Sequence, residues 1–243
     1  MDKILTIFKK EFKSYFYSPV AYILIIAFVL ITSLVWLFTP FAYSPLMAGV
    51  VTIRGAFDNF LFKLVLIIFI PAITMRAFSE EKKSGTIELL LTKPVSEYQV
   101  IWGKYLAAFC LAFFAIFLTL IFAFTLMIFL GPIDIGALFS TYLGLFLLCA
   151  MYVAIGIFAS SVTEYQVIAF IIGFFIIAPL FLFNMLLVVV PTFLVSIVQY
   201  ISSDFHYANM SRGVIDTKDV IYFLSGILIF LMLTRISLEK RKW

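Results

Sequence analysis

The side chains that could do chemistry are few and scattered. There is one histidine, His206, two residues after Asp204. A lone histidine beside an aspartate lacks the further ligands a metal needs and the nucleophile an acyl-transfer site needs, so the pair reads as part of a solvated loop. Cys110 and Cys149 lie inside apolar runs, which speaks against a disulfide framework or a metal site. No glycine-rich phosphate loop is present, so the chain cannot hydrolyse nucleotide alone. No carboxylate falls in the middle of an apolar run, which argues against transport coupled to protons or sodium. Catalytic, cofactor-binding and metal-ligating residues are therefore expected to be none.

The densest group of charges is the stretch from Arg76 to Gln99, between two long apolar runs. Helical spacing puts Arg76, Glu80 and Lys83 on one face, with Glu81 and Lys82 beside them. Gly85 can take the left-handed conformation that ends a helix. Thr86 can cap a new short helix with Glu88 near its positive end. Leu89, Leu90 and Leu91 follow, and Lys93-Pro94 stops it. The product is a short helix carrying leucines and charges in water. Its leucines either meet a protein partner or fold back on the membrane surface or the amino-terminal helix.

The elements holding this stretch are apolar. The 243 residues are 65% hydrophobic and 12% charged, with mean hydropathy +1.18. A soluble domain carries about a quarter charged residues, so most of this chain is solvated by lipid. The net charge of +4 is unevenly spread, and nucleic acid is not an expected partner. Residues Asp2 to Tyr17 alternate Ile4, Leu5, Phe8, Phe12, Tyr15 and Phe16 with Lys3, Lys9, Lys10 and Lys13, the pattern of an amphipathic helix lying on anionic lipid. Ser18-Pro19 then starts Val20 to Thr39, about 30 Å of uncharged helix. Further spans are expected at Phe60 to Phe78 with a kink near Pro71, Tyr98 to Leu130, Tyr142 to Ala159, Gln166 to Val190 and Val220 to Thr234. Lys63 is expected to snorkel from the outer end of the second. Ser96–Gln99 and Thr163–Gln166 both match the capping box. Phe193, Leu194, Ile197, Val198 and Ile201 form an uncharged amphipathic face on the outer side, read as a short interfacial or re-entrant helix, followed by a polar piece, Ser202 to Asp219, in which Asp216 caps the last span. Ala150 with Ala154, Gly156 with Ser160, and Ala169 with Gly173 allow close helix approach within the chain.

Six spans put both termini on one side. Lys3, Lys9, Lys10, Lys13, Arg76, Lys82, Lys83, Lys93, Lys104, Arg235, Lys240, Arg241 and Lys242 fall on that side; Arg54, Lys63, Arg212 and Lys218 fall on the other. The positive-inside bias makes the termini cytoplasmic. The expected fold is an all-α membrane protein: an interfacial helix over residues 1–18, then a six-span domain over 19–243 with a cytoplasmic loop at 76–97 and an outer segment at 191–219.

Glu81-Lys-Lys-Ser-Gly-Thr-Ile-Glu-Leu-Leu-Leu-Thr-Lys-Pro-Val after the second span resembles the permease subunit of type-2 ABC transporters, as do Ser160-Ser-Val-Thr-Glu-Tyr-Gln166 and the whole topology. Met210-Ser-Arg-Gly-Val-Ile-Asp216-Thr-Lys-Asp-Val and the basic tail resemble the gliding-motility-associated branch, and more loosely the permeases of nitrous-oxide-reductase maturation. The resemblance implies an exporter in the bacterial inner membrane and a partner ATPase that binds the ATP and magnesium. It implies a second permease copy or paralogue in a twelve-span assembly. It implies that Gly85 to Leu91 is a coupling helix, with the amino-terminal helix packed nearby and the turn at Thr163 a smaller contact. The residues expected to face the ATPase are Glu80, Glu81, Lys82, Lys83, Gly85, Thr86, Glu88, Leu89, Leu90 and Glu164. The alternatives are a membrane scaffold that binds a soluble partner without moving cargo and, on weaker grounds, an intramembrane enzyme.

Overall fold

A computed structural model describes residues 2–42, 57–86, 96–130, 134–187 and 191–239. Among these the regular structure is helical: α1 (Asp2–Tyr17), α2 (Pro19–Ala42), α3 (Phe60–Thr74), α4 (Arg76–Lys83), α5 (Glu97–Leu118), α6 (Leu120–Leu130), α7 (Ile135–Val162), α8 (Gln166–Leu186), α9 (Thr192–Ile201), α10 (Ser203–Ser211) and α11 (Thr217–Glu239). Five helical stretches are long and apolar enough to cross a membrane, and six if α1 and α2, bent by 75° at Ser18, count as one. The spans alternate in direction. One end of the bundle therefore carries Tyr17, Lys83, Glu97, Val162 and Glu239, and is called the basic end below. The opposite end carries Asn59, Asp134, Ser211 and Thr217.

α7 is the axis. Its spanning window is 78% buried, against 22% for α8 and for α11. Small residues explain the difference, because they let neighbours reach the α7 backbone. Gly156 lies against Thr74, where an added Cβ would stand 2.0 Å from Oγ1. Gly144 lies against Tyr207 and Met210 of α10. Gly173 of α8 faces Ala159 and Pro71, so these small-residue pairs serve packing within one chain.

The helix boundaries follow their caps. Gln99 Oε1 accepts from the Ser96 N–H at 3.1 Å, the back half of the expected capping box. At Thr163 that box does not form. The hydroxyl accepts from Tyr165 N at 3.2 Å, a local turn, and the helix begins after Tyr165. The third span is not continuous. It breaks at Thr119, whose hydroxyl bonds the Ile116 carbonyl at 2.5 Å and meets the Tyr142 hydroxyl at 3.1 Å. The second span breaks at Met75, one turn after Pro71, and resumes as α4. Asp216 Oδ1 caps α11 through Lys218 N, and the Lys218 side chain holds the Asp216 carboxyl below its ordinary range.

The opposite end corrects three expectations. The polar piece after α9 is a helix, α10, lying against α7. His206 is buried rather than solvated, and its partner is Asp219, at 2.6 Å, not Asp204. Its other ring nitrogen meets the Tyr200 carbonyl at 3.1 Å. Lys63 does not snorkel. It is buried and paired with Asp204 at 2.5 Å, and Asn184 donates to the second Asp204 oxygen at 2.7 Å. Burying a charge is tolerable when it is paired and hydrogen-bonded, and these groups meet that condition. They pin α10 to α3, α8 and α11, and Tyr152 with Ser203 at 2.8 Å pins it to α7.

Candidate functional site

The basic end is where the chain could receive a partner, because α4 and α5 bracket residues 87–95 there. α4 is an eight-residue polar helix that begins where the Met75 turn interrupts the ladder. Met75 offers no side-chain cap. Ser160 of α7 supplies one from across the interface. Its hydroxyl accepts from Phe78 N at 2.9 Å and Ser79 N at 3.1 Å, and donates to the Met75 carbonyl at 2.9 Å. Both acceptor sites and the single donor of that hydroxyl are in use.

The other end of α4 returns the favour to α7. The Lys82 ammonium donates to the Ser161 carbonyl in the last turn of α7, which also accepts from Ser237 of α11 at 2.9 Å. A cation on the free carbonyls of a helix C-terminus is favourable both as a hydrogen bond and against the helix dipole.

Lys104 binds α4 from the other side. It is 2% exposed and stands in the second turn of α5. Its ammonium donates to the Ala77 carbonyl at 2.7 Å and pairs with Glu81 at 2.9 Å and Glu11 of α1 at 3.3 Å. It lies 5.2 Å from the Phe78 ring centroid. The preceding residue, Gly103, lets Ile7 of α1 settle on the α5 backbone, where a Cβ would come within 2.8 Å of Ile7 Cβ. Arg76 completes the stitching, bonding Ser18 Oγ at 2.8 Å in the α1–α2 bend and Glu80 at 3.1 Å. Tyr15 is packed beside these groups, and burial, then the nearby Glu11 carboxylate, raise its hydroxyl above the ordinary range. On α11, Arg235 pairs with Glu239 at 2.6 Å and covers the Tyr98 ring at 4.4 Å.

Residues 5–243 match the family model described as ABC-2 family transporter protein. The chain belongs to the ABC-2 transporter family. No curated protein matches it. Membership makes this ABC-2 chain a multi-pass membrane permease component of an ABC transporter, and implies an ABC ATPase as partner and typically a dimer.

Of the charges expected to face that ATPase, the permease exposes Glu80, Lys83 and Glu164 and turns two inward. Lys82 is buried on Ser161, and Glu81 is drawn to Lys104. Helical spacing explains this: an eight-residue helix wedged between α5 and α7 must give some of its charges to each neighbour. Gly85 has φ +69°, the left-handed conformation expected after a helix end, and its N–H bonds the Lys82 carbonyl at 3.2 Å. The Thr86 hydroxyl meets the Ser84 hydroxyl at 2.9 Å. Glu88, Leu89 and Leu90, with the expected short helix, lie outside the described residues. Sequence reasoning missed Ser160, Lys104 and Glu11. Lys104 had a signal, since it is a lysine in an otherwise apolar run that continues to Leu118. Ser160 was visible as one half of a small-residue pair and as the first residue of the Ser160–Gln166 stretch, but neither reading pointed to a cap on α4.

Proposed function

We propose that this permease is driven by a separate ATPase docking on the loop between α4 and α5, with residues 85–91 as the coupling segment. The observation that supports this best is the bracing of α4. A short polar helix beside that loop is fastened to α7 by Ser160 and Lys82 and to α5 and α1 by Lys104. A push on the loop would reach α3 and the central α7 rather than dissipate in a flexible hinge. Leu89 and Leu90 would anchor the ATPase, while Glu80, Lys83 and Glu164 would set charge complementarity around them.

In this proposal the basic end is cytoplasmic, as the lysine and arginine bias requires. The lysines of α1 lie on anionic lipid, with that helix in the interface. ATP closure of a partner dimer would draw two coupling segments together and tilt the spans outward for export. The assignment to the gliding-motility-associated branch is part of this proposal, is supported only by the likeness of Met210 to Val220, and names no cargo.

The test is co-purification of the ATPase with Leu89→Asp, compared with the wild-type chain. A charge at a desolvated anchor should abolish association while membrane insertion stays normal. Undiminished co-purification would remove Leu89 from the docking surface.

A further inference from the structure

Lys104 stands apart from the surface charges of this end. A buried lysine is costly unless every donor is satisfied, and this one has three acceptors on two other helices: the Ala77 carbonyl and Glu81 on α4, and Glu11 on α1. Its own backbone belongs to α5, the helix on the far side of the coupling loop. Removing the ammonium would leave two carboxylates and a carbonyl facing one another with no cation between them. α1 is bent 75° from α2 and continues past Lys104 towards Ile4 and Ile7, which seat on Gly103. The Arg76–Ser18 bond adds a second tie at the bend.

We infer that Lys104 is the positioning residue that makes α1, α4 and α5 one lever, so that α1 travels with the coupling loop when the ATPase acts. The inference rests on the proposed docking at that loop and extends it to the amino-terminal helix. α1 is then an input arm of the motor rather than a passive float on the membrane. Its exposed lysines, Lys9, Lys10 and Lys13, would move relative to the lipid surface in each cycle.

The experiment uses the full chain, with Cys110→Ala and Cys149→Ala, reconstituted with its ATPase in nanodiscs. Spin labels replace Lys10 on α1 and Ser84 at the end of α4, both exposed and neither among the proposed docking residues. Pulsed distance measurements compare the nucleotide-free complex with the complex trapped by ATP and orthovanadate. In the wild-type background the distance between labels should be unchanged by trapping. Lys104→Met should give a distance that shifts on trapping, with the ATPase still bound, and Lys104→Arg should restore the fixed distance. A wild-type distance that changes on trapping overturns the inference. So does a Lys104→Met chain whose distribution is unaltered, or is broadened equally in both states, because that would be a local fastening with no part in coupling. Co-purification of the ATPase with the wild-type chain is scored first. Its absence removes the docking proposal itself, whereas its presence with a nucleotide-dependent wild-type distance removes only the role of Lys104. If Lys104→Met does not fold, Glu11→Gln, which weakens the tie of Lys104 to α1, takes its place in the same comparison, and a distance unaltered on trapping overturns the inference.

Discussion

Replacing Gly156 with alanine adds one methyl at the contact that seats the second span on the central one. That Cβ would lie 2.0 Å from Thr74 Oγ1 and 2.8 Å from Thr74 Cβ. Thr74 has little room to give way, because it is fully buried and its hydroxyl donates to the Ile70 carbonyl at 2.9 Å. Overpacking of this kind costs about 1–3 kcal/mol. The higher helix propensity of alanine offsets about 1 kcal/mol. With contacts this short the upper part of the range applies, giving a net loss of about 2 kcal/mol. At about 2–4 °C per kcal/mol for a chain near this size, Tm should fall by roughly 4–8 °C. Gly173→Ala is the control. Its added Cβ would meet Pro71 Cβ at 3.4 Å and Ala159 Cβ at 3.6 Å, so the propensity gain survives and Tm should hold or rise slightly. Thermal unfolding of both variants in the same detergent by scanning fluorimetry makes the comparison. Adding Thr74→Ala to Gly156→Ala should restore part of the loss, since Oγ1 is removed while the 2.8 Å Cβ contact remains. A Gly156→Ala chain that melts no lower than Gly173→Ala would refute the close approach and with it the seating of Ser160 on α4.

At the opposite end, Lys63→Met should destabilise the chain by about 3–5 kcal/mol by leaving Asp204 buried without its cation. Lys63→Met with Asp204→Leu should recover part of that loss, because Asp58, 3.7 Å from the Lys63 ammonium, and Asn184 still lose these partners, and denaturant titration of the two variants checks it. Gly85→Ala meets nothing within 4 Å, so its cost is conformational, about 1–2 kcal/mol at φ +69°. Titration with purified ATPase should show binding weakened by roughly 5–30-fold, and unchanged binding would mean the turn at Gly85 does not orient the docking segment.

Much of this molecule is legible in its sequence. Long uncharged runs fix helices and a membrane environment, because lipid offers no hydrogen bonds and only a helix satisfies its own backbone over such a stretch. The helix at Asp2–Tyr17, its end at Ser18-Pro19 and the cap at Asp216 follow from local rules, and so does the left-handed Gly85, whereas the expected kink near Pro71 is an interruption at Met75 that Ser160 of α7 caps. The positions of Glu88, Leu89 and Leu90 rest on sequence alone. What local rules do not contain is which helix a polar side chain will meet. Lys63 and Lys104 are both lysines within apolar runs, and from the sequence each could reach for water. Only the packed bundle brings Asp204 and Asn184 to one, and Glu11, Glu81 and the Ala77 carbonyl to the other. Thr163 and Ser160 show the same division. The first matches a capping pattern yet makes a simple turn, while the second caps a helix some eighty residues away in sequence. Periodicity and caps are set by neighbours along the chain, whereas the pairing of buried charges is set by neighbours across it, and only the fold supplies those.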